Sequence, residues 1–341
     1  MMSDLSFERK AYVVVTDYMQ TDGVSDVSDA IQKIIDDNPN RTIYFPDGVY
    51  VLKKPICTPA DPVKSVSLEL ANYAVIKAAE DWDHDEALVR LGGKDPFNTI
   101  YVNGSNYNLS GGIIDGSGKA NGISIDSGRE TRVHEVSIKH TKIGLHIKRG
   151  ANSGSSDADI INVHIVGNGA PDSIGVLVEG LDNSFTNMRI ARVFTGFHLK
   201  TAGNFLRHIH PLYTCDYTNY AESCAFLDEG GNNWYNNCYN DQFAIGFRAV
   251  HSKGGFLDGC FCYWYSSREG KHVAFKADKK FESIVTNFTI GFRDLKTENI
   301  VLEVGEDGGR GVLNRVLSHP DLFTDDTYKQ YLQGGVWEWN I

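Results

Sequence analysis

The chain has 341 residues, 41% of them hydrophobic and 23% charged, with a formal net charge of -11. That composition is globular, and its acidic balance excludes a nucleic-acid backbone as partner, since phosphate binding needs a concentrated basic face. No run of about 18 apolar residues exists, so no membrane partner is expected. The segment Met1 to Lys10 lacks the apolar core of a secretory signal, so a cytoplasmic location is expected.

In chain order, Ala11 to Val15 reads as a strand, and Asp22 to Asn38 as an amphipathic helix. Ser25 or Asp26 would cap it, and Val27, Ala30, Ile31, Ile34 and Ile35 fall on one face. Asn38-Pro39 stops it. Thr42 to Leu52 gives two short strands around a Pro46-Asp47-Gly48 turn. Ser67–Leu70, Ala74–Ile76 and Ala87–Leu91 read as early coils. The acidic loop Asp81 to Glu86 carries Trp82, and its alternating carboxylates suit a solvated loop better than a cation site.

From Val136 to Glu303 a phrase recurs: a short alternating strand, a polar corner, then a small residue opening a second alternating strand. Examples are Phe185–Ile190 with Gly196–Lys200, Asn204–Ile209 with Cys224–Leu227, and Trp234–Cys238 with Gly246–Val250. The second strands open at residues 144, 175, 196, 224, 246, 272 and 299, a degenerate repeat of 21 to 31 residues. Repeats of that length with period-two strands and no helical pattern point to a β-solenoid. A sandwich or barrel would not produce the glycine-led phrase. A solenoid leaves a strand-edged end open, and the early helix is a natural cover for it. After Val301 the phrase stops. The expected division is therefore a cap with its first strands at 1–55, coils at 56–305 and a tail or second cap at 306–341, in one structural domain.

The segment holding Asp22, Gly23, Asp29, Ala30 and Ile31, followed by Tyr44, Phe45, Pro46, Gly48 and Tyr50, resembles the opening motif of the pectate-lyase-like superfamily. That group includes polygalacturonase-related glycosidases, phage tailspike depolymerases and fructan-acting enzymes. Gly111 to Gly118 resembles the glycine-rich coil of the polygalacturonase type. The resemblance implies an all-β, single-stranded right-handed parallel β-helix with an N-terminal capping helix, a carbohydrate substrate, and side-by-side packing as a homotrimer. It does not choose among hydrolase, lyase, epimerase and binder.

None of the six cysteines has a zinc-site spacing, so no metal and no cofactor is expected. Buried, stacked thiols are expected instead of disulfides. For catalysis, parallel coils stand about 4.8 Å apart, which makes it simple to set two carboxylates at a working distance. Acids at three successive corners, Glu222, Asp241 and Glu269, are the candidates, with Asp258 on a strand nearby. The polygalacturonase strings Asn-Thr-Asp, Gly-Asp-Asp and Gly-His-Gly are absent. For substrate binding the candidates are Trp234, Tyr239, Tyr263, Trp264, Arg248, His208, Asp228 and Glu229. Aromatic faces pack on sugar C–H faces, and polar groups bind hydroxyls. Tyr263-Trp264-Tyr265 cannot all face inward, whereas Phe205, Phe247 and Phe275 are expected in the core. His208 and His210 would share a face by alternation. Paired-carboxylate cleavage of a glycosidic bond is the leading expectation, on a neutral, fructan-type oligosaccharide. The alternatives are a polysaccharide lyase acting on a uronate and a tail-fibre-like glycan binder.

Overall fold

The computed structural model describes residues 12–97, 107–151, 154–216, 218, 220–250, 253–265, 271–278, 282–293, 300–304, 309–314, 317–318 and 335–340. The fold is the expected all-β parallel β-helix, and its contacts divide it into two compact units, Met1–Asn168 and Gly169–Ile341.

In the first unit the coils are built on three strands, and two of them add a fourth short strand, Ser127–Arg129 paired in parallel with Gly154–Ser156. Thr42–Phe45, Gly48–Leu52 and Ile56–Pro59 form one coil, with Tyr12–Val14 paired in parallel before Thr42–Phe45. Ser67–Leu70, Ala74–Ala78 and Ala87–Lys94 stack on that coil, each in parallel register. The helix Ser28–Asp37 buries Ile31, Ile34 and Ile35. It begins later than the sequence suggests, and Ala30 faces solvent. Asp26 still serves its first turn by accepting from the Ser28 N–H at 3.0 Å. The helix covers the strand edge of Ile56–Pro59. Gln32 accepts from Cys57 N–H at 2.7 Å and donates to Cys57 C=O at 3.0 Å, replacing the missing neighbouring coil.

The second unit follows the same plan, which corrects the two-strand reading of the repeat. The segments read as single first strands bend in the middle. At each bend stands a left-handed residue: Asn187, His208, Asn237, Gly259 and Asn287, with φ between 51° and 64°. Asn and Gly adopt that conformation at low cost. The bend turns Trp234–Cys238 into the strand Trp234–Asn236 and sends the chain into a separate strand, Tyr239–Asp241. It also cancels the alternation that would have put His208 and His210 on one face. Strand stacking continues past residue 305, where the phrase fades: Gly309–Asn314 pairs in parallel with Gly335–Asn340.

The glycine that opens the second strands has a steric cause. A Cβ on Gly196 would lie 2.5 Å from the Ala225 carbonyl oxygen of the next coil, and one on Gly175 would lie 2.5 Å from that of Gly196. Behind these small residues Phe197, Phe226 and Phe247 stack inside the coils, with ring centroids 6.1 and 4.6 Å apart, and Phe275 is buried in register with Phe247. All six cysteines are free, and all but the half-buried Cys57 are buried.

A second internal column is polar. Asn183, Asn204 and Asn233 are fully buried, and the side-chain oxygens of Asn204 and Asn233 each accept from the asparagine of the preceding coil: Asn183 Nδ2 to Asn204 Oδ1 at 3.0 Å, Asn204 Nδ2 to Asn233 Oδ1 at 3.0 Å. Asp228 ends the column. Its Oδ1 accepts from Asn233 Nδ2 at 2.9 Å and from the N–H groups of Gly230 and Gly231 at 3.0 and 2.8 Å. Its Oδ2 accepts from the Tyr235 hydroxyl at 2.9 Å. Asp228 is therefore a buried structural cap, 4% exposed, and not the hydroxyl-binding group expected from sequence. Burial, the largest influence, raises its carboxyl above the ordinary carboxylate value against these four donors.

Gly196→Val is expected to destabilise by about 3 kcal/mol, because a carbonyl of the next coil cannot retreat without breaking its ladder; urea unfolding at constant slope measures it. Asp228→Ala should cost about 3 kcal/mol or more by leaving four donors unpaired, whereas Asp228→Asn keeps three of them and should cost less than about 1 kcal/mol. The raised folded-state value of Asp228 contributes stability that is fully present below its unfolded value. That contribution is lost as pH rises through the folded value. Asp228→Asn should therefore flatten the acid-side slope of stability against pH.

Candidate functional site

Register in the second unit converts the sequence into a grid of outward columns. Strands Ser184–Ala191 and Phe205–Leu212 pair residue by residue, and Trp234–Asn236, Tyr239–Asp241, Lys253–Asp258, Phe261–Trp264 and Thr289–Phe292 continue the stack. Before the bend, one column runs Ser184, Phe205, Trp234, Phe256, and the next runs Thr186, Arg207, Asn236, Asp258, Thr286. Beyond the bend, one column runs Arg189, His210, Tyr239, Phe261, Thr289, and the last runs Ala191, Leu212, Asp241, Tyr263, Gly291.

The first column is an exposed aromatic stack. Phe205 and Trp234 lie 4.7 Å apart at 10°, and Trp234 and Phe256 lie 5.2 Å apart at 17°. Phe205, expected in the core, is 48% exposed and Trp234 is 38% exposed. The ring faces cover one another, so the stack offers solvent mainly ring edges, while the Phe205 face over Ser184 stays uncovered by an aromatic.

The columns beyond the bend hold the chemistry. Asp241 Oδ2 lies 3.2 Å from His210 Nε2, and Gln242 Nε2 donates to Asp241 Oδ1 at 3.2 Å. Arg189 Nη1 approaches the other ring nitrogen, Nδ1, at 3.2 Å. Tyr239 stacks on His210 with centroids 4.3 Å apart and on Phe261 at 5.0 Å. Burial first, then Asp241 beside it, raises the Tyr239 phenol well above its ordinary value, so Tyr239 is a hydrogen-bond donor and not a phenolate base. Tyr263 follows Asp241 in its own column. An imidazole, a carboxylate, a phenol and a guanidinium thus meet on one face, the residue types that acid–base chemistry uses.

The remaining candidates scatter. Glu269 lies outside the described residues. Glu222 is exposed on the turn Tyr220–Glu222. Asp258 accepts from Thr286 Oγ1 and Asn287 Nδ2, each at 2.9 Å. It stands one coil beyond Asp241 and across the bend, with its column five residues, roughly 17 Å of chain path at about 3.3 Å per residue, away. The two therefore stand on different outward faces, Asp258 before the bend and Asp241 beyond it. Trp264 is fully buried and donates to the Phe243 carbonyl at 2.8 Å; it is core and not a sugar platform. Arg248 is paired with Asp278 at 2.6 Å on another sheet. Glu229 sits 3.1 Å from His198 Nε2. His208 occupies the bend, 3.5 Å from Asn237 Nδ2. In the first unit, Asp81 pairs with Lys53, and Trp82 is buried. Among the described residues no three His, Cys, Asp or Glu groups are placed to hold a metal ion.

Sequence reasoning passed over Arg189. Its signal was the 21-residue step that sets it beside His210, legible only once the register is known.

Comparison with family models matches residues 12–210 to rhamnogalacturonase A/epimerase, pectate lyase-like. No curated protein sequence matches. Among solved structures the fold is similar to ORF18 of Geobacillus virus E2, at 15% identity and a TM-score of 0.64, covering 92% of this chain and 62% of that one. It is also similar to the alginate lyase from Paenibacillus sp. str. FPU-7, at 14% identity and TM-score 0.57, covering 80% and 96% of the two chains. A third is the tailspike protein of E. coli bacteriophage HK620 in complex with pentasaccharide, at 11% identity and TM-score 0.69, covering 98% and 66%. This chain thus spans less than two thirds of the viral ORF18 chain and of the tailspike chain, and likeness at such identities speaks to the fold alone. The family match spans more than half the sequence and agrees with the resemblance drawn from the opening motif: the chain belongs to the rhamnogalacturonase A/epimerase, pectate-lyase-like family.

Proposed function

We propose that the protein is a carbohydrate-active enzyme that cleaves a glycosidic bond on the outward face beyond the bend of the second unit, with Asp241 as its reactive carboxylate. One observation carries this reading: Asp241 is half-buried between Tyr239 and Tyr263 and hydrogen-bonded to His210. It combines an acid with two phenols whose hydroxyls suit sugar hydroxyls. Family membership supports the substrate class. An alginate lyase and a tailspike that holds a pentasaccharide share the fold, which supports a glycan as the substrate class. The net charge of -11 favours a neutral oligosaccharide, a fructan-type glycan among them. The second carboxylate of the mechanism is assigned to Glu269. The exposed Phe205–Trp234 stack is the apolar surface that a homotrimer would bury, and sedimentation measures that assembly.

A polysaccharide lyase is the second reading. It is favoured by Arg189 and His210 lying in one column beside Asp241, since a lyase needs a cation near a uronate carboxylate and a base for its neighbouring proton.

A panel of neutral and uronate oligosaccharides separates these readings. Hydrolysis without ultraviolet-absorbing unsaturated ends is the expected result, and unsaturated products would move the assignment to a lyase. On any substrate found, Asp241→Asn should lower kcat by about 100-fold or more, and Asp258→Asn should leave it within a few-fold. Equal losses in the two variants would remove Asp241 from its role. Turnover absent across the panel, with glycan binding retained, would indicate a non-catalytic binder.

A further inference from the structure

The hydrogen bonds around His210 leave one position for its proton. Arg189 Nη1 lies 3.2 Å from His210 Nδ1, and a guanidinium only donates. Nδ1 must therefore accept, so it carries no hydrogen. On the other side Nε2 lies 3.2 Å from Asp241 Oδ2, an acceptor, and must donate. The Tyr239 ring lies against the imidazole face at 4.3 Å and 22°, and so opposes a ring flip that would exchange the two nitrogens. Asp241 is held in turn at its second oxygen by Gln242 Nε2 at 3.2 Å.

We propose that Arg189 is a positioning residue that locks His210 in the neutral tautomer with its proton on Nε2, and that the locked imidazole fixes the Asp241 carboxylate in one orientation. The alternatives each break a contact. A proton added at Nδ1 would set donor against donor and a second cation beside the guanidinium. A proton moved from Nε2 to Nδ1 would leave a lone pair facing a carboxylate oxygen. The groups facing the ring are Arg189 from strand Ser184–Ala191 and Tyr239 and Asp241 from strand Tyr239–Asp241, so the lock is assembled from three successive coils. Arg189 and His210 are brought together by a step of 21 residues, the same step that stacks Asn183 on Asn204.

The tautomer follows from geometry alone; its consequence for turnover rests on Asp241 acting in glycan cleavage. Long-range proton–nitrogen NMR correlation on the isotope-labelled full chain reads it directly, with the His210 signal among eleven histidines assigned by its loss in His210→Gln. The wild type should show a single tautomer at neutral pH, protonated at Nε2 and bare at Nδ1. Arg189→Met frees Nδ1 while Asp241 still accepts from Nε2, so the variant should show a proton on both ring nitrogens where the wild type shows one, and Arg189→Lys, which still donates, should restore the wild-type signature. A proton on Nδ1 in the wild type, or a spectrum unchanged by Arg189→Met, would overturn the proposal. Arg189 is exposed, so its variants should fold, and an unchanged thermal midpoint checks that. With a substrate in hand, Arg189→Met should lower kcat roughly tenfold at constant KM, the worth of one charge-assisted hydrogen bond. A spectrum that responds while kcat does not would remove Asp241 from the chemistry and leave the tautomer lock standing.

Discussion

Parallel stacking in register is the constraint on which the second unit depends. Each coil pairs through backbone hydrogen bonds with the next, about 4.8 Å away, so every side chain sits directly over a partner in the neighbouring coil. A residue type that stacks well on itself is therefore rewarded repeatedly. Phenylalanine columns, buried asparagines and small residues at the second-strand openings are three answers to that one demand. The asparagine column is the most demanding of them. A buried amide with one unmet donor or acceptor is costly, so the column needs an end, and Asp228 supplies it.

The same geometry builds the candidate site from outward columns. A bend marked by one left-handed residue per coil separates two outward faces, one aromatic and polar, the other carrying Arg189, His210, Tyr239 and Asp241. Residues distant in sequence become nearest neighbours because they occupy equal positions in successive coils. Repeat length therefore positions the chemistry, and an insertion that kept every strand but shifted one register would separate His210 from both partners.

The fold was legible early because its signals are local and repeated. Period-two alternation, glycine before the second strands and the amphipathic segment later occupied by Ser28–Asp37 each follow from short-range sterics or from burial of one face. The bend was not legible, since Asn and His tolerate left-handed backbone without requiring it. Missing it merged two strands into one. That error placed Phe205 in the core, set His208 and His210 on a common face, and put Asp241 at a corner when it ends a strand.

By itself the sequence determined the class of fold, the family through residues such as Tyr44, Phe45, Pro46 and Gly48, and a region rich in acids and aromatics. These depend on composition and on spacings within a few residues. Only the tertiary structure decided which acids and aromatics face outward and together. Trp264 and Asp228 went to the interior because their polar atoms find partners there. Asp241 stayed at the surface, held by His210 across one coil, with Arg189 completing the contact from the coil before. Register over 20 to 30 residues sets those neighbours, and register is a property of the stacked coils, not of any stretch of chain read alone.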